Sequence, residues 1–292
     1  MYETYKSVPA IQLVCHALAS RQKDKIDFFF RDCLELCEGA KIMSEFPDGR
    51  CRLNRLDYVW EIFPKSASIP LRFSLYAGQQ FGIPKVRIVV DRAADHDVVI
   101  AMIKKNSPFI RELESPSSPE IIKALEGNTQ IETLMVHRAL CDVDTIQSIS
   151  TNRTIKRLTL ELGDYVVTKW FCLLMRENYD MKFLRITIPA DDESLLEVLH
   201  LMKNHPSLRF VELTQKKIPI NDKALEILET LLIENTTLEV LKMGGCRFSR
   251  DQKLKILSAL EQNRTIQCFH GLRSNGDDSR LKEIMNYHQR VI

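Results

Sequence analysis

The chain has 292 residues, 45% of them hydrophobic and 27% charged, and its 41 basic and 39 acidic side chains leave a net charge of +2. That length fits two ordinary domains or one elongated one, and the apolar share is enough for a sizeable core. The balanced charge argues against a dedicated nucleic-acid binder, which carries a strongly basic face. No apolar run reaches the roughly 18 residues of a membrane span.

The first residues, MYETYKSVPAIQLVCHALASRQKDK, lack the basic leader and small-residue cleavage site of a signal peptide. Ile11, Val14, Cys15 and Leu18 form one helical stripe, and Ile26, Phe29, Phe30, Cys33, Leu34 and Cys37 form a second. With FPDGRCRLNRLDYVWEIFP after them, residues 1–65 read as a helical N-terminal cap on a larger unit, 66–292. LRFSL at 71–75 reads as that unit's first strand. The segment Ala10 to Ala19, with Ile11 and Cys15 at its key positions, resembles a BC-box, a small-Leu-x-x-x-Cys-x-x-x-aliphatic helix. The resemblance implies an elongin-type or other cullin adaptor as partner, and a role as substrate receptor of a cullin-type ubiquitin ligase. Ile11 stands where the family has Leu, and no clear cullin-selecting box follows. A plain amphipathic cap accounts for the same residues.

From residue 128 the chain repeats. NTQIETLMV, NRTIKRLTL, NYDMKFLRI, HPSLRFVEL, NTTLEVLKM and NRTIQCFHG begin at Asn128, Asn152, Asn178, His205, Asn235 and Asn263, spaced 24, 26, 27, 30 and 28 residues apart. Their shared core is apolar-x-x-apolar-x-apolar, as in Ile131/Leu134/Val136 and Leu238/Leu241/Met243. Looser copies lie upstream at Ile83/Val86/Ile88 and Ile110/Leu113. Alternation of this kind predicts a short strand with one buried face. After each strand comes a helical pattern, clearest at 195–202, 223–233 and 253–260. Start signals precede these helices: Ser118-Pro119 as N-cap and N1, Asn221 as N-cap, a capping box at Ser249-Arg-Asp-Gln252, and the acidic Asp191-Asp192-Glu193. Residues 277–292 read as a terminal helix.

A period of this length with this core resembles the leucine-rich repeat. LEVLKMGGCRFS is similar to the unit of the ribonuclease-inhibitor-like class, with Cys246 at the position where the chain turns inward. Ala139, Gly163, Asp191 and Lys216 fill that position in other copies, so the resemblance is to a divergent member and covers about residues 80–292. It implies an α/β solenoid, a curved parallel sheet with outer helices, in which stacking buries what no single repeat can. Three of the repeats open on N-x-T, a glycosylation acceptor when read alone. Their common phase instead suggests turn chemistry, with Asn in left-handed geometry at the helix end and Thr leading into the strand. The eight cysteines sit among apolar residues and read as reduced core thiols in a cytoplasmic or nuclear protein.

In such a solenoid the strand residues between the buried ones stack into columns on the concave face. One column is Thr133, Arg157, Phe183, Phe210, Val240, Cys268; the next is Met135, Thr159, Arg185, Glu212, Lys242, His270; a third is His137, Glu161, Thr187, Thr214, Gly244, Leu272. Arg157, Phe183, Arg185, Phe210, Glu212, Val240, Lys242 and His270 are the candidate partner-binding residues. The phenylalanines suit an apolar anchor, or packing under a loop; the alternating charges suit a partner, or a self-satisfied ladder. No Gly-rich phosphate loop and no H-E-x-x-H appear. Neither Cys33/Cys37 nor His137/Cys141 has a second pair to complete a zinc site, Cys268 and His270 have no visible third catalytic group, and Lys216-Lys217 reads as a solvated loop. The expectation is a non-enzymatic protein-recognition scaffold without metal or cofactor. A ubiquitin-ligase receptor, an enzyme inhibitor and a bacterial effector are alternative uses of the same module.

Overall fold

A computed structural model describes residues 50–54, 59–63, 71–76, 85–90, 96–106, 110–116, 118–137 and 141–272. The chain divides into two compact units, Met1–Pro84 and Lys85–Ile292. In the first, β1 (Arg50–Asn54), β2 (Val59–Phe63) and β3 (Leu71–Tyr76) form an antiparallel meander. Ile62 is fully buried, and Arg52 bonds Glu61 directly opposite at 2.9 Å. Within the span expected as a helical cap, the described residues are therefore strands. The expected strand at 71–75 pairs antiparallel with β2 rather than opening the parallel repeats. Both expected N-terminal helices, with Ile11 and Cys15, and the expected helix at 277–292 lie outside the described residues.

The second unit is a regular β/α repeat. Its strands are β4 (Lys85–Val89), β5 (Ile110–Pro116), β6 (Thr133–His137), β7 (Arg157–Glu161), β8 (Phe183–Thr187), β9 (Phe210–Pro219), β10 (Val240–Arg247) and β11 (Cys268–His270). All run parallel and pair in chain order. Between them lie α1 (His96–Lys105), α2 (Pro119–Ala124), α3 (Val143–Thr151), α4 (Tyr165–Met175), α5 (Asp192–Asn204), α6 (Asp222–Glu234) and α7 (Arg250–Gln262). Parallel crossovers are right-handed, so strands added always in one direction place every helix on the same side of the sheet. Consecutive helices pack against each other, as that requires. The repeated apolar triads form the core between the two layers: Ile131, Leu134, Ile155, Leu158, Met181, Leu184, Val211, Leu213 and Leu241 are all completely buried.

The helices start where the side chains dictate. Asp142, Asp164, Asp191, Asn221 and Ser249 each accept a backbone N–H three residues on, and Gln252 closes the capping box on Ser249. Pro119 opens α2 behind the Ser118 cap.

The recurrent Asn has a different role from the one the sequence suggests. Asn152, Asn235 and Asn263 are extended, with φ between −85° and −73°, so left-handed geometry is not their purpose. Their side chains bridge repeats. Asn152 donates its amide hydrogens to the Leu125 and Asn128 carbonyls at 2.7 and 2.9 Å, while its Oδ1 accepts from the Thr154 and Ile155 N–H groups. Asn128 donates to the Ile103 carbonyl, Asn235 to Met202, and Asn263 to Asn235, and each likewise accepts two N–H groups downstream. The following Thr donates back across the same seam, Thr154 to Ile131 and Thr265 to Asn235. The sequon is thus a hydrogen-bonding unit satisfying buried backbone groups between repeats. Asn152, with both amide hydrogens engaged, is closed to a glycosyl transfer while folded.

His205 takes the ladder position in one repeat and is 3% exposed. Its Nδ1 accepts from the Ser207 N–H at 3.3 Å. Its Nε2 faces the Asn178 and Met175 carbonyls without closing a hydrogen bond. Desolvation holds its pKa below the ordinary 6.5, partly offset by those carbonyls. As pH falls through about 6.5 the unfolded chain takes up the proton before the folded one does, so this site withdraws stability on acidification. We therefore expect His205→Asn to raise the unfolding temperature, and to raise it more at pH 5 than at pH 8. Thermal unfolding of both proteins at the two pH values checks this; an equal or smaller gain at pH 5 would contradict it.

Candidate functional site

The strands that carry the buried triads present their alternate residues on the sheet face away from the helices. Pairing aligns Thr133, Arg157, Phe183, Phe210, Val240 and Cys268 across six strands, and Thr159, Arg185, Glu212, Lys242 and His270 beside them. The third column departs at its end. Strand β11 stops at His270, Gly271 follows with φ +153°, and Leu272 is buried. Lys216 and Lys217 lie within β9 rather than in a loop, because β9 continues beside β10 to Pro219. The extension passes a bulge at Gly244–Cys246. There Gly245 has φ +85°, and a Cβ on it would sit 1.7 Å from the Gln215 carbonyl oxygen. Gln215 itself is buried, donating to the Pro189 and Asp191 carbonyls.

At the centre of the face the side chains meet. Phe183 and Phe210 stack with centroids 4.2 Å apart and planes within 9°. The Arg157 guanidinium lies 4.5 Å over the Phe183 ring, and the Lys242 ammonium lies 5.2 Å from the Phe210 centroid. The two rings are sandwiched between cations, which the negative ring faces attract. Alongside, Arg185 bonds Glu212 at 2.9 Å, and Lys242 approaches the same carboxylate at 4.0 Å. Seven of the eight sequence-expected residues form or border this cluster; His270 lies one strand beyond Lys242. Both rings are half-buried, so each keeps an edge available. The charges form the ladder expected from the sequence, each pair worth about 0.2–1 kcal/mol, and Arg185 and Lys242 share the single carboxylate of Glu212, while Arg157 lies on the Phe183 ring.

A second cluster lies upstream on the same face, and of its residues the sequence columns include only His137. Arg87 reaches Glu112 at 3.2 Å and Glu114 at 3.1 Å, and His137 approaches Glu114 at 3.3 Å. Its signal was the looser upstream copies: extending the columns through Val86 and Leu113 places Arg87, Glu112 and Glu114 in them. The face therefore changes character along the strand order, from two carboxylates around Arg87 to two cations around Glu212.

Nothing in this arrangement assembles a nucleophile and its base. Burial pushes the thiols of Cys141 and Cys246 up to about 11 and that of Cys172 up to about 12. Cys268, on the face beside His270, is also raised by burial despite the opposing Lys242 charge. Thiols so shifted are poor nucleophiles. Among the described residues no three His, Cys, Asp or Glu side chains cluster to hold a metal ion, and no helix is long and apolar enough to cross a membrane.

No family model matches the chain, and no curated protein matches it. Among solved structures it is similar to the actin-binding site 2 of leiomodin-1, at 16% identity over 68% of this chain and 99% of that one, with a TM-score of 0.35. A likeness at that level assigns neither family nor partner. What the chain does establish is an α/β repeat with a parallel sheet whose exposed face carries a stacked aromatic pair between cations.

Proposed function

We propose that the Lys85–Ile292 unit is a divergent leucine-rich-repeat solenoid and a non-enzymatic recognition scaffold, binding a protein partner on its sheet face. The curved, concave form belongs to this proposal. The observation that carries it is the Phe183–Phe210 stack, half-exposed at the centre of the face between Arg157 and Lys242. Aromatic residues at the centre of a rigid surface dominate interface energies, because their large area is buried at little cost in conformational entropy. The surplus of cations around Glu212 favours a partner segment that brings acidic side chains beside an apolar anchor. An inhibitor or an effector would use the same face. Recruitment to a ubiquitin ligase through Ile11 and Cys15 rests on the pattern of those residues alone.

Photo-crosslinking tests this reading. With benzoylphenylalanine in place of Phe210, irradiation in the cells of origin is expected to give a discrete protein adduct. The same residue in place of Thr230, on the helical side, is expected to give no such adduct. An adduct from position 230 with none from position 210 would sink the proposal.

A further inference from the structure

Helix α4, YVVTKWFCLLM, is apolar on both sides. Val167, Thr168, Phe171, Cys172 and Met175 are buried against the sheet and neighbouring helices. On the opposite side Val166 is 55% exposed, Trp170 40% and Leu173 44%. Their i, i+4, i+7 spacing makes one stripe along the helix. A helix apolar all round is normally covered on both sides.

The other repeats serve as an internal control. Their buried residues share one register, Phe171 of α4 matching Val198, Leu228 and Ile256, and Met175 matching Met202, Leu232 and Leu260. In that register Val166 corresponds to Glu193, Lys223 and Asp251. Trp170 corresponds to Asp144, Glu197, Ile227 and Lys255. Leu173 corresponds to Gln147, His200, Thr230 and Ser258. Only Ile227 is apolar, so the repeat itself does not require an apolar outer surface, and α4 departs from it at three positions together.

Charge and area identify the occupant. The helices on either side of α4 carry acidic residues at outward positions, Asp144 on α3 and Glu193 and Glu197 on α5. Glu197 engages Arg176 at 3.8 Å, and Lys169 is exposed at the edge of the stripe; the carboxylates flank it on both sides. Three exposed side chains on one helix offer on the order of a few hundred Å². That is well short of the about 800 Å² that each folded partner gives to a standard interface. It fits the apolar face of a single helix. We propose that α4 is a second docking surface, taking a short amphipathic helix of a partner protein whose apolar face seats on Val166, Trp170 and Leu173 and whose basic flanks meet Asp144, Glu193 and Glu197. This surface is independent of the sheet face, and with it the scaffold would hold two partners on opposite sides.

Trp170 is one of two tryptophans in the chain, so Trp60→Phe in the full chain isolates its emission. If that variant does not fold, the wild-type spectrum minus that of Trp170→Phe gives the same signal. The probe is a synthetic helical peptide with leucines at i, i+3, i+4 and i+7 and lysines elsewhere. It is expected to shift Trp170 emission to the blue saturably and to shield it from acrylamide. Leu173→Glu is expected to abolish that response with unchanged thermal unfolding, and Glu197→Lys to weaken binding at least threefold. Absence of a saturable shift would overturn the proposal. So would an equal response to a leucine–glutamate peptide, or a shift that grows with protein concentration before peptide is added, which would assign the stripe to a second copy of the chain.

Discussion

Replacing Asn152 by alanine is expected to cost about 3–5 kcal/mol of stability, because buried backbone groups on both sides of a repeat boundary lose their partners at once. Asn152 is 2% exposed. Its amide holds the Leu125 and Asn128 carbonyls, and its Oδ1 holds the Thr154 and Ile155 N–H groups. Alanine offers none of these, and the site is too enclosed for water to replace them all. The energy is lost in the middle of the array, where repeats depend on nearest-neighbour contacts. Asn263 is the contrast. It is half-exposed, near the end of the described repeats, and its amide reaches across only to the Asn235 carbonyl; Asn263→Ala is expected to cost about 1–2 kcal/mol. Urea unfolding of the three proteins settles the order. A loss below about 1 kcal/mol for Asn152→Ala, or a larger loss for Asn263→Ala, would mean that the ladder is incidental to the fold.

The parts of the molecule set by local chemistry were legible in the sequence, and those set by contacts between repeats were not. The triads around Leu134, Leu158, Leu184, Val211 and Leu241 announce themselves because a buried strand face must be apolar at alternate positions. The caps at Ser118, Asn221 and Ser249 do so because a helix start needs an acceptor for its free N–H groups. The ladder was seen as a recurrence but misread as left-handed turn geometry. The partner of Asn152 lies in the preceding repeat, and nothing local points there. The one non-glycine residue with positive φ among those described is Asn106, at φ 55°; it accepts from the Thr129 N–H and donates to the Thr129 hydroxyl.

Other departures have similar causes. Lys216-Lys217 looked like a loop because two adjacent lysines are usually solvated, but the Gly245 bulge lets β10 carry β9 onward. Leu272 falls in the exposed column only if the strand continues past His270, where it stops. The antiparallel strands at 50–76 carry no repeat period. The α4 stripe is not legible in the sequence, because Val, Trp and Leu in a helix read as core until the opposite face also proves buried. The aromatic pair was legible because spacing alone fixes which residues of parallel strands become neighbours.

The other large effect concerns that pair. Changing Phe183 and Phe210 together to alanine removes the centre of the proposed interface and frees Arg157 and Lys242 from the positions the rings give them. Central aromatic anchors are typically worth 2 kcal/mol or more, so affinity for the partner crosslinked at position 210 is expected to fall at least thirtyfold. The rings are half-exposed and their stacking contributes only about 0.5–1.5 kcal/mol beyond area burial. The folded repeat should therefore survive, with its circular dichroism retained and its unfolding temperature modestly lowered. Thr230→Glu on the helical side should leave the same affinity unchanged. Calorimetric titration of the purified partner into wild type, Phe183→Ala/Phe210→Ala and Thr230→Glu is the most direct measurement. Recognition on the sheet face predicts binding lost only in the double variant. Undiminished binding by the folded double variant would show that the partner engages another surface, and would contradict the function proposed here.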